Sequence, residues 1–293
     1  MRRPALDATQ GDTAGNGAAN GLLPGTAVPI LLYHGVGSDA SSELRRFTVS
    51  PAAFDQQMTM LAEQGYTTLT VSEFLPALHG NPAGLPARPA LITFDDGFAN
   101  TLTEALPILE RHGFASTLYA TTGFMGDGGK GGRRGVNRSG DAMLSWDELR
   151  ELAERGMEIG AHTHSHPMLD TLPAEAARAE ITGSKDLIEQ ALQAPVRSFA
   201  YPHGYSSAAV RRMVATAGYT SACAVKNALS HPADDRFAIA RLTIEAGHSL
   251  ENVDAMISGR TTRLAPSREH LQTTGWRWAR RGMALYRRAR ERP

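Results

Sequence analysis

The chain has 293 residues, 42% of them hydrophobic, enough to bury the core of one large α/β domain or two small ones. Lys+Arg and Asp+Glu number 30 each, a balance that gives no reason to expect nucleic acid as a partner. A single cysteine, Cys223, excludes an internal disulfide; its place in the apolar run 219–225 reads as a small buried core residue.

Residues 1–26 are rich in Gly, Ala, Asn, Asp and Thr without hydrophobic periodicity and read as a disordered tail. No apolar segment of the signal-peptide kind follows the two early arginines. No stretch reaches the roughly 18–20 apolar residues of a spanning helix, so the expectation is a cytoplasmic chain. Order is expected from Val28. Seven short apolar runs follow, at 28–36, 90–94, 116–121, 158–161, 198–201, 220–225 and 239–244. Helical patterns lie between them: 52–64, opened by Ser50-Pro51 as N-cap and first helical residue; 101–111, ended by Gly113; 147–155, behind the capping box Ser145-Trp146-Asp147-Glu148; then 174–192, 206–217 and 250–257. Strand–helix alternation implies parallel strands with helical crossovers, and about seven units over about 235 residues fit a barrel better than a small open sheet. The expected organisation is a tail at 1–26, one folded domain at 27–262 and a basic amphipathic C-terminal helix at 263–293. The Gly-rich basic stretch 125–140 fails the phosphate-loop pattern, since no Ser or Thr follows Lys130. It reads as a surface loop, or as a lid lending Arg133 or Arg134 to an anionic substrate.

Chemistry concentrates where three predicted strands end, which is where barrels place their sites. Leu91-Ile92-Thr93-Phe94-Asp95-Asp96-Gly97 ends in adjacent carboxylates. Within a strand they would point to opposite faces, but Gly97 lets the chain turn so that both reach one cavity. Two bare carboxylates would repel, and a cation beside them removes that problem. Gly160-Ala161-His162-Thr163-His164-Ser165-His166-Pro167 holds three histidines. An extended chain would separate positions 162 and 166 by roughly 13 Å at about 3.3 Å per residue, so sharing one ion requires the chain to curl after Ala161. One Asp and two His form a three-ligand set with open positions, the layout of a catalytic metal site. Phe199-Ala200-Tyr201-Pro202-His203-Gly204 ends a third strand in a turn with an aromatic ring and an imidazole.

These segments, in this order, resemble the NodB-type polysaccharide deacetylases (carbohydrate esterase family 4) over about 28–259. The Thr93–Gly97 TFDDG and the His162–His166 motif are the most specific signatures, and PILLYH at 29–34 with MLSWDELREL at 143–152 is similar to the exopolysaccharide-deacetylase branch. The resemblance implies a distorted (β/α)7 barrel and a metal-dependent hydrolase that removes N-acetyl groups from an amino-sugar glycan. It implies Asp95 as general base; Asp96, His162 and His166 as ligands of a divalent metal, Zn foremost with Co, Ni or Mn as alternatives; the His203 N–H at the oxyanion; and Tyr201 and Pro202 lining the sugar groove. The chain departs from the family pattern in two places. Ala200 stands where many members have an arginine that pairs with the catalytic Asp, and Arg241 in IARLTI is a substitute from another direction. The fifth motif, with its general-acid histidine, is not evident; His248 and His34 are the candidates. Two other readings compete: a metal amidohydrolase of the same fold acting on a small non-sugar amide, and a catalytically weakened glycan-binding protein.

At about 100° per residue, segment 276–292 places Trp276, Trp278, Ala279, Gly282, Met283, Leu285, Tyr286 and Ala289 on one half of a helix and Arg277, Arg280, Arg281, Arg287, Arg288 and Arg292 on the other, with Arg290 the exception. This basic amphipathic pattern predicts peripheral contact with the inner face of a membrane, a helix docked on the barrel, or a frayed tail.

Overall fold

The computed structural model describes residues 27–78, 81, 84–127, 135–266, 280 and 283. The expected tail at 1–26, Arg133, Arg134 and all of 276–292 except Arg280 and Met283 lie outside them. No helix among the described residues is long and apolar enough to cross a membrane.

Eight strands form one parallel sheet: β1 (Ile30–Tyr33), β2 (Thr67–Leu69), β3 (Pro89–Phe94), β4 (Thr117–Ala120), β5 (Glu158–Ala161), β6 (Ser198–Ala200), β7 (Ser221–Cys223) and β8 (Leu242–Thr243). The order is β7-β6-β5-β4-β3-β1-β8, with β2 paired to the first half of β3. A single parallel bridge, Cys223 to Ile239, leads from β7 to the stretch that continues into β8 and back to β1. The path therefore curls round as a distorted barrel, and the seven apolar runs are its staves. Helices α1 (Pro51–Glu63), α2 (Val71–Leu78), α3 (Leu106–His112), α4 (Trp146–Glu154), α5 (Ala174–Leu192), α6 (Ala208–Thr216) and α7 (Leu250–Ile257) accompany it.

Strand alternation divides the interior. Leu31, Tyr33, Ile92, Phe94, Leu118, Ile159 and Phe199 face outward into the main core beneath the helices. Ile30, Leu91, Tyr119, Ala200, Cys223 and Ile239 cluster on the inner face. Cys223 is fully buried with its Sγ 3.3 Å from the Tyr119 hydroxyl, and burial pushes its thiol up to about 11, as suits a core residue. Val71, Phe74 and Ala77 of α2 join this inner cluster. The Val71 N–H donates to Thr117 Oγ1 at 3.1 Å, and Ser72 donates twice to Glu158. Thr117 and Glu158 begin their strands, so α2 plugs the N-terminal mouth and leaves the C-terminal mouth for chemistry. Neither β2 nor α2 was expected from the sequence.

The helix starts follow their caps. Ser50 Oγ accepts the Ala53 N–H at 3.2 Å with Pro51 at the first position, and Ser145 with Glu148 closes both bonds of a capping box. Since a cap of this kind is worth about 1 kcal/mol, Ser145→Ala is expected to lower Tm by about 2–4 °C, the shift per kcal/mol for a domain of this size. A thermal melt with no shift would show that α4 holds without its cap.

Candidate active site

Asp95, Asp96, His162, His166 and His203 lie past the C-terminal ends of strands, and the backbone there bends through conformations that ordinary residues avoid. Asp96 has φ 74°, Gly97 91°, Thr163 69°, His166 59° and His203 57°. Single left-handed residues of this kind cost of order 1–3 kcal/mol and cluster where function holds them. Asp96 and Gly97 fold the chain after β3, with the Asp96 carbonyl accepting the Thr121 N–H at 3.1 Å. The two carboxylates are thus brought to one cavity. The histidine loop curls by the same means: Thr163 and His166 turn it, the His166 N–H bonds Thr163 Oγ1 at 3.1 Å, and the two ligand rings end 4.9 Å apart. Glu180 of α5 clamps the loop from outside, accepting the N–H groups of His164 and Ser165 at 2.9 and 2.8 Å. Gly123 allows the close approach on the other side, since a Cβ there would meet the His164 carbonyl at 2.5 Å. His164 takes no part in the cluster; its Nδ1 pairs with Thr122 Oγ1 at 3.0 Å.

One ligand atom each from Asp96, His162 and His166 lies within 4.8 Å of the others. Asp96 Oδ1 is 3.2 Å from His166 Nε2 and 3.5 Å from His162 Nε2, yet it is buried without a hydrogen-bond partner. His162 Nδ1 is 2.8 Å from the Ala200 carbonyl; a donor there leaves a lone pair on Nε2, facing the carboxylate. Burial above all lowers His162 to about 4, keeping it a neutral ligand at pH 7. Burial raises Asp96, but the His166 contact and the other nearby histidines outweigh it and hold the carboxyl below its usual range. An orphaned carboxylate oxygen facing two imidazole nitrogens suits a divalent cation of the borderline type that N/O sites bind.

Asp95 lies beside this set, with Oδ2 3.8 Å from His162 Nε2. Arg241 grips it with both arms, Nη1 to Oδ1 at 2.7 Å and Nη2 to Oδ2 at 2.8 Å. Alternation puts Thr93 and Asp95 on the barrel's inner face with Ile239 and Arg241, so this fully buried guanidinium also reaches Thr93 Oγ1 and the Ala224 carbonyl. Burial pushes Asp95 up, but Arg241, His162 and His34 bring it below the ordinary carboxylate value. The arginine absent at Ala200 therefore has a spatial counterpart in Arg241, arriving from the opposite side of the sheet path.

His34, after β1, acts electrostatically on Asp95, Asp96 and His203, and its Nδ1 is buried without a partner. His248 instead belongs to the turn before α7, where its Nδ1 accepts the Glu245 N–H at 3.2 Å. The third motif requires a correction. Tyr201 is fully buried with its hydroxyl on the Phe237 carbonyl at 2.9 Å, and Pro202 is buried beside it. Neither side chain lines a groove: Tyr201 keeps the alternation of Phe199 on the main-core side of β6, and Pro202 is buried in the turn. His203 does reach the site: its ring is 4.7 Å from that of His166, and burial first, then His166, lower it to about 4. With Asp96, Phe124, Arg138 and His166 it lines a cavity of about 250 Å³, roofed where Ser139 bonds Glu43. A larger cleft of about 720 Å³ nearby, between loops 35–48, 98–103 and 140–142, contains none of these groups.

A family model described as polysaccharide deacetylase matches residues 83–222, the span that carries both Asp95-Asp96 and the histidine loop. Over that span, just under half of the chain, it is similar to the polysaccharide deacetylases. A Bacillus subtilis protein named as a polysaccharide deacetylase is 24% identical over 222 residues, 76% of this chain and 73% of its own length. A Staphylococcus aureus poly-beta-1,6-N-acetyl-D-glucosamine N-deacetylase is 28% identical over 174 residues, 56% of this chain and 57% of its own length. Among solved structures, a Streptococcus pyogenes deacetylase in complex with acetate is 26% identical, with TM-score 0.69 over 80% of this chain and 99% of that one. IcaB from Ammonifex degensii, 23% identical, shares the fold with TM-score 0.68 over 80% and 98%. The enzyme class read from the motifs, a polysaccharide N-deacetylase, is the class of these family relatives.

Proposed function

We propose that the chain is a metal-dependent hydrolase that removes N-acetyl groups from an amino-sugar glycan. The observation that carries this reading is the convergence of Asp96, His162 and His166 within 4.8 Å, next to an Asp95 held by Arg241. The S. aureus relative's name makes a β-1,6-linked N-acetylglucosamine chain the first substrate to try. A divalent ion in the three-residue set would supply Lewis-acid polarisation of the acetamide carbonyl and activation of water. Asp95, ionised at neutral pH, takes the proton of the attacking water. The His203 N–H faces the developing oxyanion. His34, whose Nδ1 is buried and without a partner just past β1, returns a proton to the leaving amine rather than His248, whose Nδ1 is engaged by the Glu245 N–H. Acetate and a free amino sugar result.

Treating the protein with a chelator is expected to lower acetate release from β-1,6-linked N-acetylglucosamine oligomers at least 100-fold, with Zn, Co, Ni or Mn restoring it to different degrees. Full activity after verified metal removal would rule the metal out. Turnover of cyclic ureides but not of oligomers would point to the small-amide reading, and oligomer binding without acetate release to the weakened binder.

A further inference from the structure

The cavity at the metal set, about 250 Å³, is smaller than the roughly 300 Å³ at which pockets for drug-sized ligands begin. Most of a glycan chain would therefore lie outside it, on the rim. Sugar rings present flat C–H faces that pack on exposed aromatic rings, and Tyr combines an apolar body with a polar tip suited to that task. Among the described Phe, Tyr and Trp residues, Tyr205 is the one more than about a third exposed, at 37%. It stands two residues beyond His203, with the two rings 6.3 Å apart and 28° from parallel.

Tyr205 is held from outside the matched family span. The Cζ of Arg280, in the C-terminal segment, lies over its ring at 3.7 Å from the centroid. Arg280 is itself fixed by Asp170, Nη2 to Oδ2 at 2.7 Å, with side-chain exposures of 11% and 0%. Asp170 follows the ligand His166 by four residues. One guanidinium thus ties together the loop of a metal ligand and the turn of His203. Buried ion pairs are poor sources of net stability, because desolvation offsets their attraction. A role in position accounts for this one better.

We propose that Tyr205 is the stacking platform for the sugar adjacent to the one being deacetylated, and that Arg280 is the positioning residue that holds it. This rests on the glycan reading above. It makes Arg280 part of the catalytic unit and assigns the rim position that Tyr201 and Pro202 do not fill.

The test is the chain-length preference of the full-length protein, read as kcat/KM for the β-1,6-linked pentasaccharide relative to N-acetylglucosamine. Tyr205→Ala is expected to reduce that ratio about three- to tenfold, the range of one aromatic stacking contact, mainly through KM. Tyr205→Trp is expected to keep it. Arg280→Ala should fall between, with Arg280→Lys recovering part of the loss, since a lysine keeps the cation without the planar fork. A merely structural role would lower turnover of both substrates together and leave the ratio at its wild-type value, which would overturn the proposal. Should the wild type release no acetate, the same ladder is measured as affinity by calorimetry. A chain-length gain that Tyr205→Ala removes would then uphold the platform while the hydrolase reading fails. Absence of any gain in the wild type would overturn the platform too.

Discussion

Asp95→Asn is expected to lower kcat on an N-acetylated oligosaccharide by about 10²- to 10⁴-fold, the range that a positioned general base supplies, with little change in divalent-metal affinity. The two halves of that result come from different parts of the geometry. Asparagine preserves the shape and the hydrogen-bonding oxygen but takes no proton at neutral pH. The ligand atoms that converge belong to Asp96, His162 and His166, and Asp95 is spent instead on the Arg241 fork. The adjacent substitution Asp96→Asn should do the reverse, losing metal first and rate as a consequence. Metal affinity by chelator competition, alongside kcat, separates them. Near wild-type turnover in Asp95→Asn would end its assignment as base. Loss of metal in that variant would move Asp95 into the ligand set. The substitution also leaves a buried guanidinium facing a neutral amide, so the comparison is made well below the variant's own Tm.

What the sequence made legible follows from which forces act locally. The seven staves were visible because each is a short apolar run between turn signals, and the caps at Ser50 and Ser145 mark their helices through side chains one turn away. The segment 67–78 was not, because Thr67-Thr68-Leu69 is short and mostly polar and Pro76 interrupts the helical pattern after it. Its place in the barrel is set by tertiary contacts to Thr117 and Glu158 that no local pattern announces. The convergence of Asp96, His162 and His166 was legible in part: the spacing suggested residues that could share one ion, while the division of the adjacent carboxylates into base and ligand came only from the family resemblance. The reading that Tyr201 lines the groove failed because Tyr201 continues the alternation of Phe199 into the main core, while Ala200 between them faces the inner cluster. Arg241 was half visible. Alternation from Ile239 places it on the inner face, but its pairing with a carboxylate 146 residues earlier depends on how the barrel curls.

That pairing makes Arg241→Met the second large effect, on both stability and pH dependence. Methionine fills much of the volume but leaves Asp95 as an uncompensated buried carboxylate, and breaking a pair of this kind costs about 3–5 kcal/mol. Burial alone raises a carboxyl pKa, and Arg241 is the leading influence that brings Asp95 below its ordinary value. Without it the carboxyl protonates at higher pH, so the acid limb of the kcat/KM profile should move upward. The sign of the stability effect follows from the same shift. A carboxylate depressed in the folded state contributes stability that is present above its unfolded pKa of about 3.9 and is lost as pH falls through the folded value. The difference in unfolding free energy between wild type and variant should therefore be largest near neutrality and shrink toward acid. Arg241→Lys keeps the charge but not the fork, and should recover part of the acid-limb shift and less of the stability. Denaturant unfolding at several pH values, with pH–rate profiles on the same preparations, checks both. If Arg241→Met kept the wild-type acid limb, the guanidinium would be serving the barrel interior alone, and the ionisation of Asp95 would have to be credited to the metal set beside it.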